Sequence, residues 1–159
     1  MMGASDRVRA KKKQEKALQA SIGTVETCNQ AGTPQRDFET GETINLRIEL
    51  NAQTTIKDAR LVVALCSPVH GVLSSVSSAY QDFRFDVDEK GRVVTLKLPR
   101  IPLLIGAYHF NISLLGPNQT EFYHRSSLRG VFRIAGPPVD ANGYGLNGIT
   151  KIEHGWNVN

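Results

Sequence analysis

His109, Asn111 and Ser113 stand at alternate positions between Tyr108, Phe110, Ile112 and Leu114. A strand over this stretch buries the apolar set and turns the polar set outward. The same alternation turns Arg129, Val131 and Arg133 outward on the strand 128–135, where Phe132 and Ile134 face inward, and Arg60, Val62 and Ala64 outward on the strand 58–66. In a Greek-key sandwich these are neighbouring strands. Planar donors, an amide and a hydroxyl beside small apolar residues suit a sugar ring, whose hydroxyls take hydrogen bonds and whose C–H faces rest on apolar or aromatic surface. Arg129, Arg133 and His109 offer charge-assisted bonds to an acidic group on such a ligand, and Asn111 and Ser113 offer bonds to hydroxyls. Tyr80 offers a ring for stacking. Tyr123, Tyr144 and Trp156 offer rings too, but suit core or dimer packing better, Trp156 above all. The competing reading of the same pattern is an ordinary solvated sheet face.

Patterns for turnover are absent from the sequence. His70, His109, His124 and His154 show no H-x-H or H-x-x-x-H pair for a metal. No serine lies in G-x-S-x-G, and neither Cys28 nor Cys66 has an evident base beside it. Gly143-Tyr-Gly145-Leu-Asn-Gly148 matches G-x-G-x-x-G in letters, but follows a Pro-Pro stop instead of a strand and reads as a hinge. Asp86-x-Asp88-x-x-Gly91 lacks the remaining oxygens of a calcium loop and reads as a hairpin turn. No catalytic residue, metal or cofactor is therefore assigned.

The elements that must position the polar face are short strands. Arg92–Leu98 alternates Val94, Leu96 and Leu98 with polar partners, and a proline-containing connection leads to the strand at 106–115. In that connection Leu103, Gly106 and Tyr108 form L-x-x-G-x-Y, the pattern of a tyrosine corner, in which the hydroxyl bonds back to nearby backbone. Ser21–Cys28, Thr43–Leu50, a more continuously apolar Ile56–Cys66, a serine-rich edge strand Val72–Tyr80, and a short alternation at Phe83 and Phe85 supply the partners. Glu121–Ser127 shows no clear pattern. About eight strands with turns every 8–12 residues predict an all-β, immunoglobulin-like antiparallel sandwich.

The chain has 159 residues, a net charge of +4 and two cysteines. Residues 1–19 hold six basic and two acidic side chains, so the whole net charge lies there, and the rest is balanced. The folded part is thus not the basic surface of a nucleic-acid binder. Residues 1–19 read as a solvated, partly helical linker leaving an upstream domain, and the leading Met-Met-Gly as the start of a fragment. Residues 20–136 form the sandwich. Residues 137–159 form a glycine-rich hinge and a last strand, open to exchange between two protomers. Two cysteines without C-x-x-C spacing fit a reducing compartment.

Phe38-Glu39-Thr40-Gly41-Glu42 before the strand at 43–50, Leu98-Pro99 to Leu103, Gly106-Ala107-Tyr108 and its strand, Gly130-x-Phe132-x-Ile134, and a glycine-rich tail ending in Gly155-Trp156 occur in this order. Together, over roughly residues 20–156, they resemble the C-terminal domain of the ATP-binding subunit (Wzt type) of ABC exporters for bacterial O-antigen polysaccharide. The resemblance implies a sandwich that binds the finished polysaccharide, often at its modified non-reducing end, and a homodimer that exchanges its C-terminal strand. It also implies a cytoplasmic place at the inner membrane, reached through a nucleotide-binding domain and a membrane-spanning transporter subunit. No Walker A sequence occurs here, so this chain should not hydrolyse ATP. The rival class is a structural or protein-interaction sandwich that pairs through its sheet edges.

Overall fold

Ile44, Leu46, Ile48 and Leu50 lie at alternate positions of one strand, and none is more than 1% exposed. In the computed structural model, which describes residues 3–118, 120–135, 148–150 and 156 (backbone alone at 4 and 12–18), that alternation builds two facing sheets. A helix α1 (Ala4–Gln19) runs straight into β1 (Ala20–Cys28). Then come β2 (Asp37–Phe38), β3 (Ile44–Ala52), β4 (Ile56–Ser67), β5 (Gly71–Ser77), β6 (Phe85–Val87), β7 (Arg92–Leu98), β8 (Gly106–Leu115) and β9 (Phe122–Ile134). The smaller sheet has the order β1-β3-β7; the larger has β2-β9-β8-β4-β5, with β6 also on β4. Every pairing is antiparallel except β2 with β9. The immunoglobulin-like sandwich expected from the sequence is the fold.

Between the sheets, Leu61 and Val63 of β4 and Phe110, Ile112 and Leu114 of β8 meet the β3 row. Phe132 stacks on both Tyr108 and Phe110 at 5.5 and 5.4 Å, and Phe38 meets its ring edge-on at 6.0 Å. The tyrosine corner is present. Tyr108 Oη donates to the Leu104 carbonyl at 2.7 Å in a buried site, and that burial raises the phenol's pKa. Gly106 leaves room there, since an added Cβ would sit a tight 3.3 Å from that hydroxyl.

Four expectations need correction. The stretch 121–127, unreadable as a pattern, belongs to one 13-residue strand. The serine-rich strand stops at Ser77, whose hydroxyl caps a one-turn 3-10 helix by accepting from Ala79 N–H, so Tyr80 lies on that turn and not on a strand. The turn closed by Gly91 N–H on the Asp88 carbonyl is not a hairpin turn, since it passes from β6 in the larger sheet to β7 in the smaller. Phe38 belongs to a two-residue strand that sequence patterning did not show.

The side chains described at 5–11 of α1 are exposed, and the helix packs against β9 and β1. Of the proposed hinge and last strand, only Gly148–Thr150 and Trp156 fall among the described residues. Leu104 N–H donates to the Ile149 carbonyl at 2.8 Å, and Thr150 bridges Leu103, so the chain returns to the sandwich there. Cys28 and Cys66 are free and buried.

Tyr108→Phe keeps the ring stack but strips the buried Leu104 carbonyl of its donor. It should cost about 1–3 kcal/mol, read as a lower urea midpoint at unchanged m-value.

Candidate functional site

The outward face of the larger sheet has a floor of small side chains. In register across it run Ser77 of β5, Val62 of β4, Ser113 of β8 and Arg125 of β9. Beside that row lie Ser75, Ala64 and Asn111, and on its other side Arg60, Leu115 and Phe122. Residues opposite one another on a sheet share a face, so these ten side chains lie on one side of the sheet, with Leu115 buried among them. It holds no lysine and no carboxylate. Two guanidiniums and an aromatic ring, Phe122 at 52% exposure, border it at one end.

The structure sorts the residues predicted from sequence into two groups. Arg60, Val62, Asn111 and Ser113 share this face. Asn111 is half-buried, and its Oδ1 accepts from Leu128 N–H at 3.1 Å, which fixes the side chain and leaves its amide hydrogens for a ligand. His109 faces the same way beside Cys66, but is only 8% exposed and is no open contact. Arg133 is outward too, opposite Ala107, but there its guanidinium is paired with Asp37 at 2.8 Å at the β2 edge.

Arg129 is not on this face. Left-handed residues at Leu128 (φ 54) and Gly130 (φ 53) break the alternation of β9, so Arg129 pairs with core-facing Phe110 and reaches the Gly23 carbonyl of the other sheet. Tyr80, 88% exposed, projects on the β5–β7 flank instead. Sequence reasoning missed Ser75, Ser77, Phe122 and Arg125. The serines were visible as alternate polar positions of an edge strand, whereas Phe122 and Arg125 are three apart because Tyr123 is an extra residue at a bulge.

On the flank between β5 and β7 the sheets part. A cavity of ≈ 620 Å³ lies among Val76, Tyr80, Phe83, Val94 and Leu96, and a second of ≈ 280 Å³ continues past Leu73 and Pro99 to Thr150. Phe83 and Val76 are exposed here, and Trp156 at the chain's end is 92% exposed.

A family model described as the Wzt C-terminal domain matches residues 11–149. This chain belongs to the Wzt C-terminal domain family. The crystal structure of the C-terminal domain of Wzt superposes with a TM-score of 0.72 at 11% identity, over 89% of this chain and 84% of that one. A Pyrococcus furiosus CARDB domain in complex with di-metal ions (TM-score 0.42, 9% identity, 74% and 88% covered) and a Pseudomonas fluorescens alkylpurine DNA glycosylase bound to DNA (0.46, 12%, 84% and 37%) are more distantly similar. Among curated proteins, none matches. Membership is that of a non-catalytic C-terminal domain. Among the described residues no three His, Cys, Asp or Glu side chains gather as metal ligands, and no helix is long and apolar enough to cross a membrane.

In this Wzt C-terminal domain the flank opposite the cavities is latched by side chains. β1 bulges between Ile22 and Val25, and its free edge faces β9. There Ile22 N–H donates to His124 Nδ1 at 2.9 Å, while Arg129 donates to the Gly23 carbonyl and to Ser126 Oγ. Burial, then the nearby Arg129 charge, lowers the pKa of His124 below its usual 6.5. The imidazole must be neutral to accept, so the unfolded chain binds the proton more readily. Its contribution is complete above the ordinary histidine pKa and is lost as pH falls below about 6.5. Urea midpoints should therefore drop from pH 7.5 to 5.5, and His124→Asn, which keeps an acceptor that does not titrate, should drop less. Arg129→Ala, which strips the Gly23 carbonyl of a charged donor, should cost about 1.5–3 kcal/mol in the same assay.

Proposed function

We propose that this domain recognises the polysaccharide cargo of an O-antigen ABC exporter, by binding and without catalysis. The observation that carries the reading is the outward face of the larger sheet. Its floor of Val62, Ala64, Ser75, Ser77, Asn111 and Ser113 is flat, hydroxyl-rich and free of lysine and carboxylate, and Phe122 stands at its border. Long charged side chains ordinarily cover a solvated sheet face. Their absence leaves room for sugar rings to lie on Ala64 and Val62 while their hydroxyls bond Asn111 and the serines.

In this reading residues 1–19 join the domain to a nucleotide-binding domain, and through it to a membrane-spanning subunit at the cytoplasmic side of the inner membrane. Two copies pair as a homodimer, with the C-terminal segment as the exchanged element. The open β5–β7 flank, with exposed Val76 and Phe83, favours this pairing and equally supports the second reading, a protein-interaction sandwich that binds through its sheet edges.

Titration with O-polysaccharide, followed by NMR shifts or calorimetry, separates the two. Ala64→Tyr and Ser113→Tyr fill the floor and should weaken binding at least about tenfold with melting unchanged, a loss of roughly 1.4 kcal/mol or more. Thr95→Tyr, on the exposed side of β7, should bind as the parent does. Retained binding in both floor variants removes the face as the site. No polysaccharide binding at all, together with concentration-dependent sedimentation that Val76→Asp abolishes, leaves the protein-interaction reading standing.

A further inference from the structure

Of the arginines near the floor, Arg129 is spent on the Gly23 carbonyl and Arg133 on Asp37. Arg60 and Arg125 are not. Among the described residues neither guanidinium has a carboxylate partner, and the Nε of Arg60 is buried without any hydrogen-bond acceptor. A buried donor left unpaired is uncommon in a folded protein and costs about 1–3 kcal/mol. Something else must account for its retention.

The register gives the account. Arg125 is directly opposite Ser113 on β9. Arg60 is on β4 one step from Val62, which is opposite Ser113 on the other side. The two side chains thus rise from strands on either side of β8, with the Ser113 hydroxyl on the floor between them. Phe122 closes that end with exposed apolar surface, while Leu115 opposite it is buried. The Glu121 carboxylate lies over the Gly116 turn, where an added Cβ would meet it at 3.0 Å. Asp86 is taken by Lys57 Nζ at 2.9 Å and by Asp58 N–H at 3.0 Å.

We propose that Arg60, Arg125 and Ser113 form a subsite for an oxyanion borne by a sugar, a carboxylate or a phosphate ester, with Phe122 beneath the sugar ring. The inference rests on the carbohydrate reading of this face. At rest the Arg60 Nε has no acceptor, so a rotamer change that lays Nε–H and one Nη–H on an oxyanion replaces an unmade bond by two charge-assisted ones. A guanidinium already satisfied by an acid would first have to break that pair.

The test is an NMR titration of the full chain with methyl glucoside, methyl glucuronide, glucose 1-phosphate and inorganic phosphate. The anionic sugars should bind at least about tenfold tighter than the neutral one, with shifts at 60, 113, 122 and 125. That preference should weaken with salt and be lost in Arg60→Gln and Arg125→Gln, while Arg133→Gln keeps it. The two anionic sugars separate carboxylate from phosphate recognition. Inorganic phosphate binding as tightly as glucose 1-phosphate overturns a sugar-borne subsite. Equal binding of neutral and anionic sugars at the face overturns the oxyanion inference and leaves the carbohydrate reading intact. No shift at this face with any of the sugars or with O-polysaccharide overturns both.

Discussion

The sandwich depends on how the free edge of β1 is closed. A sheet of three strands facing a larger one leaves two flanks, and an unpaired strand edge is a row of unmet donors and acceptors. On one flank β9 meets β1 with side chains instead of backbone: His124 accepts from Ile22 N–H and Arg129 donates to the Gly23 carbonyl. The geometry that allows it lies in β9 itself. Gly130, at positive φ, would place a Cβ 3.0 Å from Leu46 Cδ1, so its backbone angle and its neighbour both favour glycine. The bend that it shares with Leu128 turns Arg129 inward and frees Leu128 N–H for Asn111 Oδ1. One irregularity therefore both latches the sheets and fixes a side chain of the outward face.

That bend also decides which arginines are available. Strict alternation makes Arg129, Val131 and Arg133 equivalent, but the structure gives them separate work. Arg129 is an internal strut, where a charge-assisted bond to a part-buried carbonyl counts for more than a surface pair. Arg133 and Asp37 are both well exposed, so their ion pair contributes little stability, on the order of 0–1 kcal/mol, yet it occupies the guanidinium. Among the described residues, Arg60 and Arg125 beside the floor have no carboxylate partner.

Most of the fold was legible. The period-two pattern of β3, β7 and β8 marks the core, and L-x-x-G-x-Y marks the tyrosine corner, because each is a local rule written in a few residues. What was illegible had a common cause. Bulges insert residues without leaving a compositional mark, so β9 lost its alternation in the letters at Tyr123 and again at Leu128–Gly130, although it is one strand. The same failure misplaced Arg129 and hid Arg125 and Phe122. Tyr80 was misplaced for another reason: Ser77 is a good strand residue by pattern, and a good cap once the chain can turn. His109 was assigned the correct side, but burial on that side is a tertiary fact that alternation does not carry.

The floor and the open flank are separate surfaces joined by one strand. β5 contributes Ser75 and Ser77 to the outward face, and Val76, with Leu73, to the apolar cavities between the sheet edges. Successive residues of a strand point to opposite faces, so a seven-residue edge strand cannot be braced on one side without ordering the other. Its far edge has no strand partner among the described residues, and β4 alone holds it in the sheet. Whatever occupies the flank beside Val76 therefore also fixes the serines beside Val62 and Ala64. The two surfaces, one apolar and one polar, share this one edge strand of the larger sheet.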